Sequence, residues 1–255
     1  MTTTPETSED TLLVDRVRLI QPISGYRAAI DPVLLAAAVP AASGERILDL
    51  GCGTGAASLC LAARMPDVHV IGLERAEDVA KLAGCNVRIN AMDDRVDVVV
   101  GDVTSPPTVC AAEDFDHVMI NPPFVAIGHG RASPDPAKAA STVDDAGIEA
   151  WLTAARGALK PRGTVTLVHR ADRLDGILAA FTGFGGIIVY PLWPRADGQP
   201  AKRLLVRGIK GSGAPLTLAA GLILHEADGT YSAPAEAVLR AAAAIDLKRP
   251  DAKAP

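Results

Sequence analysis

Residues 47–56 read ILDLGCGTGA, an apolar run followed by a glycine-rich loop. The run at 47–50 predicts a buried strand, and the Ala-rich stretch at 56–64 predicts a helix after the loop. Glycines at this junction let a ligand approach the backbone N–H groups that open the helix. The unit therefore predicts an α/β fold in which ligands bind at the carboxyl ends of parallel strands.

The same alternation of apolar strands and helical stretches continues along the chain. Strands are predicted at 47–50, 68–73, 96–100, 118–120, 164–169, 187–192 and 204–209, and helices at 56–64, 76–90, 144–159 and 172–181. Strands that alternate with helices form a mostly parallel sheet covered on both faces. We therefore expect a Rossmann-like, seven-stranded sheet with helices on both faces.

Shorter elements flank this core. The alternation at 12–22 predicts a hairpin arm or edge strand, and Asp31-Pro32 predicts a cap residue followed by the first position of a helix over 33–39. Residues 216–225 predict a further strand, and 234–244 a closing helix. The predicted divisions are a flexible tail at 1–11, an N-terminal flank at 12–43, the main domain at 44–245 and a C-terminal tail at 246–255.

Composition narrows the class of protein. The 255 residues are 49% hydrophobic but only 4% aromatic, which predicts a core of Val, Ile, Leu and Ala. A net charge of -5 argues against a dedicated nucleic-acid binder, although local basic patches remain possible. Four cysteines without a CxxC pair, and no metal-ligand spacing, predict a reduced, cytoplasmic protein without a metal. Neither a signal peptide nor a transmembrane helix is predicted.

Carboxylates follow the second and third predicted strands. Glu74 is placed to accept both hydroxyls of a ribose, Asp102 to accept an adenine amino group, and the Val103 amide to reach the ring nitrogen. The spacing Gly51-x-Gly53-x-x-Ala56 also satisfies the dinucleotide fingerprint. An NAD-dependent oxidoreductase therefore remains an alternative on these residues alone.

The fourth predicted strand is followed by Asn121-Pro122-Pro123-Phe124. The side-chain carbonyl of Asn121 and the backbone carbonyl of Pro122 could each accept a hydrogen from an exocyclic amino group, while Phe124 stacks on its ring. Asn-Pro is also a common turn initiator, so the motif alone is equally consistent with a turn. Its place after a fourth strand favours the reading as a site for a planar nitrogen.

Together these strand-end residues resemble the class I S-adenosylmethionine-dependent methyltransferases. The resemblance implies that the acidic residue and loop glycines hold the methionine part, the second carboxylate the ribose and the third the adenine. On this chain those positions are Asp49, Gly51, Gly53, Gly55, Glu74 and Asp102. It further implies S-adenosyl-L-methionine as the cofactor.

Within that family, Asn-Pro-Pro-Phe resembles enzymes that methylate adenine N6, guanine N2, cytosine N4 or glutamine side chains. The segments at 17–22 and 25–36 are similar to the start of bacterial tRNA-valine adenine-N6 methyltransferases, and this similarity extends from about 12 to 244. It implies an N-methyltransferase acting on adenine N6 in tRNA. The catalytic positions are then Asn121, Pro122 and Phe124.

Further residues are candidates for contacts with the cofactor or the substrate. Tyr26 and Arg27 are expected to close over the cofactor, whereas Asp31 is a weaker candidate because helix capping is its commoner role. His129, Arg131 and Lys138 lie in a Gly/Pro-rich loop, where solvation is favoured over a general-base role for His129. A basic cluster, comprising Arg195, Lys202, Arg203, Arg207 and Lys210, is either solvated or contacts RNA phosphates.

Alternative functions remain at this point. A protein glutamine N5-methyltransferase is disfavoured because only 48 residues precede Asp49, too few for the helical domain of the release-factor enzymes. A small-molecule methyltransferase, an NAD-dependent oxidoreductase and an RNA-binding module without activity are the others. Binding of S-adenosylmethionine against NAD separates the oxidoreductase from the methyltransferases.

Overall fold

The computed structural model describes residues 6–23, 27–111, 113–123, 125–126, 143–144 and 146–248. Its strands are β1 (Thr7–Leu12), β2 (Val17–Pro22), β3 (Arg46–Leu50), β4 (His69–Glu74), β5 (Val96–Val100), β6 (Phe115–Ile120), β7 (Val125–Ala126), β8 (Val143–Asp144), β9 (Leu159–Arg170), β10 (Phe184–Arg195), β11 (Arg203–Lys210), β12 (Thr217–Leu218) and β13 (Leu222–His225). Its α-helices are α1 (Asp31–Ala38), α2 (Ala56–Arg64), α3 (Glu77–Ile89), α4 (Gly147–Ala158), α5 (Leu174–Ala180) and α6 (Ala233–Ala241).

The main sheet has nine strands in the described part of the chain, in the order β12-β10-β11-β9-β6-β3-β4-β5, with β13 also paired to β10. β3 lies between β4 and β6 and is parallel to both, whereas β11 is antiparallel to its neighbours β9 and β10. The seven predicted strands all lie in this sheet, so the predicted mostly parallel α/β architecture is confirmed. The stretch at 216–225 adds two short edge strands instead of one.

Two layers of apolar side chains cover the sheet. In β3, Ile47 packs into one core with α1 and α2, whereas Leu48 and Leu50 pack into the other with α4. Successive side chains of a strand point to opposite faces, so a strand covered on both faces is apolar along its length. Asp49 is the polar exception and shares the face of Ile47, the side on which α2 packs.

The N-terminal region differs from its prediction. Residues 7–11, expected to belong to a flexible tail, lie in β1, which pairs antiparallel with β2 from Thr7 to Leu12. The sequence of β1 is polar and carries little strand signal by itself. Pairing with β2 overrides that weak propensity, and the ion pair of Glu9 with Arg18 adds a cross-strand contact.

The first helix also begins earlier than expected. Asp31, predicted to be the cap, is the first helical residue of α1, and Ile30 occupies the cap position without a side-chain cap bond. The Asp31 carboxylate instead pairs with Nε of Arg203 at 3.1 Å. None of the helices in the described ranges is long and apolar enough to cross a membrane.

Candidate functional site

The carboxyl ends of four neighbouring strands bring the predicted residues to one edge of the sheet. Leu50 at the end of β3 pairs with Leu73 of β4 and with Ile120 of β6, and Glu74 pairs with Val100 of β5. Each strand continues directly into a predicted site segment. Along this edge the order is therefore Asn121, the loop at 51–55, Glu74 and Asp102.

The glycine loop is closed by backbone hydrogen bonds. The N–H groups of Gly51 and Cys52 donate to the Leu73 carbonyl at 2.8 and 3.0 Å, and Gly55 N–H donates to Cys52 O at 2.9 Å. Gly51, Gly53 and Gly55 have φ values of +69°, +57° and +88°, a region that side-chain-bearing residues rarely adopt. The loop geometry therefore explains the glycine spacing.

Two of these glycines face different surroundings. A Cβ added to Gly51 would lie 2.6 Å from Cη2 of Trp151, whereas a Cβ added to Gly53 would meet no atom within 4 Å. Gly51 is therefore closed off by packing, while Gly53 faces open space that a ligand could enter. Sequence reasoning missed Trp151, a buried side chain of α4 that reaches the loop from about 100 residues away.

Asp49 is buried beside this loop. Its side chain is 1% exposed, and Oδ2 accepts a hydrogen bond from Ser58 Oγ at 2.6 Å. Burial raises the pKa of Asp49 to about 7, although the bond from Ser58 opposes the shift; the nearby charge of Glu74 raises it further. The carboxyl group can thus change its charge near neutral pH.

Glu74 joins the end of β4 to the loop. Its Oε2 accepts from Gly53 N–H at 3.0 Å and its Oε1 accepts from Ala76 N–H at 2.9 Å. These bonds hold a half-buried carboxylate beside the open side of Gly53. The position suits an acceptor for paired hydroxyl groups.

Asp102 is arranged by its own turn. Its Oδ1 accepts from both the N–H and the hydroxyl of Thr104, at 2.8 and 2.7 Å. These bonds lower the pKa of Asp102, so the group remains an anionic acceptor at neutral pH. Val103, also predicted to bind, packs its side chain against the core that contains Leu50.

The acceptor motif is described only in part. Asn121 is half-buried and Pro122 is buried, directly after the fully buried Met119 and Ile120. Both therefore follow a rigid strand end next to the glycine loop. Phe124, Tyr26, His129, Arg131 and Lys138 lie outside the described residues.

Arg27 contacts the N-terminal hairpin. Its Nη1 donates to Ser8 Oγ at 2.7 Å and to Pro22 O at 3.2 Å, and its Nη2 forms an ion pair with Asp10. The guanidinium thus ties the segment before α1 to both strands of the hairpin. Its predicted contact with a cofactor stays a prediction.

The predicted basic cluster does not form one surface. Arg207 is only 7% exposed, and burial lowers its pKa while nearby Asp246 opposes that shift, so both expected alternatives, solvation and contact with RNA phosphates, are wrong for this residue. The cause is its inward position in β11, a strand covered on both sides. Lys210 bonds Leu159 O and Glu113, and Arg203 pairs with Asp31. Arg195 and Lys202 are exposed at the site edge.

Two further observations on the described ranges concern metal ligands and the loop thiol. These ranges contain no group of three His, Cys, Asp or Glu side chains that could hold a metal ion. Burial raises the pKa of the Cys52 thiol well above its usual value, and the charges of Asp49 and Glu74 raise it further. Cys52 is therefore a small, protonated loop residue and a poor nucleophile.

Comparisons with known proteins agree on one class of enzyme. A profile described as "Methyltransferase small domain" matches residues 28–175, more than half of the chain. The tRNA1(Val) (adenine(37)-N6)-methyltransferase of Aeromonas hydrophila subsp. hydrophila is 29% identical over 210 residues, covering 81% of this chain and 85% of that protein.

Two further similarities differ in how much of each protein they cover. The release factor glutamine methyltransferase of Shewanella oneidensis is 31% identical over 154 residues, covering 58% of this chain and 52% of that protein. A crystal structure described as a predicted O-methyltransferase from Agrobacterium tumefaciens has a TM-score of 0.71 and 31% identity, covering 84% of this chain and 98% of that chain.

Proposed function

Because the chain belongs to the methyltransferase small domain family, we propose that it transfers a methyl group from S-adenosylmethionine to N6 of an adenine in tRNA. The expected class I methyltransferase fold is confirmed by its similarity to solved methyltransferase structures. The catalytic domain that we propose spans residues 44–245, with the hairpin and α1 as its flank.

One observation carries the proposal: the order of Asn121, the glycine loop, Glu74 and Asp102 along a single sheet edge. The residues fit the cofactor because Gly53 opens onto space that a side chain would fill, with the Glu74 carboxylate bonded to its N–H. The loop and Asp49 would hold the methionine part, Glu74 the ribose, and Asp102 with the Val103 amide the adenine ring. When bound, S-adenosylmethionine supplies an electrophilic methyl group.

The acceptor side follows from Asn121 and Pro122. Their carbonyl oxygens would accept the two hydrogens of an exocyclic amino group and so direct the nitrogen lone pair toward the methyl group. Positive charge develops on that nitrogen in the transition state, and the two carbonyl dipoles stabilise it. We expect Phe124 to stack on the ring, and Tyr26 with Arg27 to close over the cofactor.

The substrate assignment rests on the extent of the similarities. The match to the tRNA adenine-N6 enzyme spans 85% of that protein, whereas the match to the glutamine enzyme spans 52%.

An adenine in an RNA loop must leave its stack to reach Asn121, at a cost of a few kcal/mol that pocket contacts offset. A loop adenine costs less to extrude than a paired one, so a tRNA loop is the substrate that we propose.

The test is incubation of the purified protein with methyl-labelled S-adenosylmethionine and a total extract of RNA and protein. We expect label in tRNA, recovered as N6-methyladenosine after nuclease digestion and mass spectrometry. Label in protein alone would favour the glutamine alternative. Calorimetric binding of NAD without binding of S-adenosylmethionine would overturn the methyltransferase assignment for this chain.

A further inference from the structure

Asn86 of α3 connects the N-terminal hairpin to the glycine loop. Its side chain is fully buried, and its Oδ1 accepts from Ile20 N–H of β2 at 2.8 Å. Its Nδ2 donates to Ile20 O and also to Thr54 O, both at 2.9 Å. One amide group therefore contacts two segments that lie more than 30 residues apart in sequence.

Asn90, one helical turn later, repeats the first half of this arrangement. Its Oδ1 accepts from Arg18 N–H at 2.8 Å and its Nδ2 donates to Arg18 O at 2.7 Å. Its Nδ2 also donates to the Asn86 O of α3, at 2.7 Å. The two asparagines thus pair with alternate residues of β2 much as a neighbouring strand would. They differ because Asn86 also bonds Thr54 O, whereas the second bond of Asn90 Nδ2 goes to Asn86 O.

The contact with Thr54 restrains the loop between two of its glycines, Gly53 and Gly55. The peptide group between Thr54 and Gly55 is planar, so its orientation is set once its C=O and N–H are both bonded. Asn86 binds that C=O, and Cys52 O binds that N–H at 2.9 Å. Glycines on both sides of Thr54 have wide conformational freedom, so an external restraint has a large effect on the loop.

We propose that Asn86 is a positioning residue that holds the glycine loop ready for the methionine part of S-adenosylmethionine and couples it to the docking of the hairpin. This inference rests on the proposed function. Removing its Nδ2 leaves the Thr54–Gly55 peptide held at one end, so the loop samples orientations that do not bind the ligand. The apparent affinity falls by the fraction of molecules that remain competent.

The experiment compares Asn86→Ala with the matched control Asn90→Ala, using calorimetry with two probes. S-adenosylhomocysteine contains the amino-acid part, whereas 5′-methylthioadenosine lacks it. We expect Asn86→Ala to weaken S-adenosylhomocysteine about tenfold or more, with methylthioadenosine changed less than about twofold. Asn90→Ala should leave both affinities within about twofold, although both variants lose hairpin contacts and melt at lower temperature.

Equal weakening of both probes by Asn86→Ala, or equal effects of the two variants, would overturn the positioning role. Binding of neither probe by the wild-type protein would instead count against the proposed function, on which the inference depends. If Asn86→Ala does not fold, amide hydrogen exchange on the wild type decides. Coupling between the loop and the hairpin is reciprocal, so bound ligand should slow amide exchange at Ile20 by at least about threefold more than at Arg18. Equal protection of the two amides would contradict the positioning role of Asn86.

Discussion

Ser58 Oγ donates a hydrogen bond to Oδ2 of Asp49 at 2.6 Å, and both side chains are at most 2% exposed. The bond favours the ionised carboxylate, whereas burial favours the protonated one, and burial is the stronger influence. The pKa of Asp49 at about 7 is the result. The charge of Asp49, which lies at the end of β3 just before the glycine loop, is therefore sensitive to pH in the physiological range.

The first prediction concerns stability. The pKa of Asp49 in the folded protein lies above its ordinary value of 3.8. The free energy of unfolding therefore contains a favourable contribution from protonated Asp49, which is fully present below about pH 4 and is lost as pH rises to about 7. The loss is about 4 kcal/mol at most, at roughly 1.4 kcal/mol per pKa unit. Asp49→Asn should remove this dependence while keeping the shape of the side chain. Urea unfolding of both proteins across that range measures it, and parallel stability curves would contradict the prediction.

The second prediction concerns cofactor affinity. A cationic ligand favours ionised Asp49, so we expect S-adenosylmethionine to bind more tightly as pH rises through about 7. Ser58→Ala removes the donor that lowers the pKa of Asp49. The midpoint pH of this rise in affinity should therefore move to a higher value. Calorimetry at several pH values gives the midpoint, with Asp49→Asn as the control that should show no such step. An unchanged midpoint in Ser58→Ala would separate Asp49 from cofactor binding.

The third prediction distinguishes the two loop glycines. Alanine at Gly51 combines left-handed strain with a 2.6 Å approach to Trp151, so Gly51→Ala should destabilise the fold by about 2–4 kcal/mol. Gly53→Ala carries the strain without a clash and should cost about 1–2 kcal/mol, but its methyl group enters the ligand space. Urea unfolding and ligand titration should therefore rank the two variants in opposite orders. The same ranking in both assays would argue against a ligand above Gly53.

Local sequence signals account for the fold where strands and helices carry their own pattern. The bounds of α2 and β5 agree with those expected, because an Ala-rich amphipathic stretch and a run of β-branched residues each indicate one structure. β1 was missed because its polar sequence becomes a strand only through pairing with β2. Arg207 was misplaced because charged side chains are mostly exposed, and no local signal marks Arg207 as a buried exception.

The residues of the candidate site also fall into those that the sequence predicts and those that depend on how distant elements pack. Residues that follow strand ends, such as Glu74 and Asn121, were located by the order of strands along the chain. Trp151 was missed, because its contact with Gly51 depends on how α4 packs against the sheet. Asn86 did leave a signal: it falls on the buried face of α3 beside Ala83 and Val87, where a polar residue needs hydrogen-bond partners.

The fourth prediction tests the acceptor motif. Asn121→Ala removes one of the two proposed acceptors for the amino group, so kcat should fall by about 10²–10³-fold while S-adenosylmethionine binding stays within about twofold. Single-turnover methylation and calorimetry measure the two quantities. Asn90→Ala makes the same chemical change outside the motif and should keep kcat. An unchanged rate in Asn121→Ala would remove this residue from the mechanism.

The fifth prediction concerns RNA contacts by the basic residues that remain exposed at the site edge. Arg195 and Lys202 stand on either side of the loop between β10 and β11, at the edge where the strand ends carry the candidate site. If each neutralises one phosphate, Arg195→Ala combined with Lys202→Ala should lower the slope of log affinity against log salt by about 1.5. Filter binding of tRNA over a range of salt concentrations gives that slope. Lys210→Ala removes one positive charge from the far end of β11, where Lys210 bonds Glu113 and Leu159 O, and it should leave the slope unchanged. A fall in the slope for Lys210→Ala of about half that of the double variant would indicate a general charge effect instead of contacts at this edge.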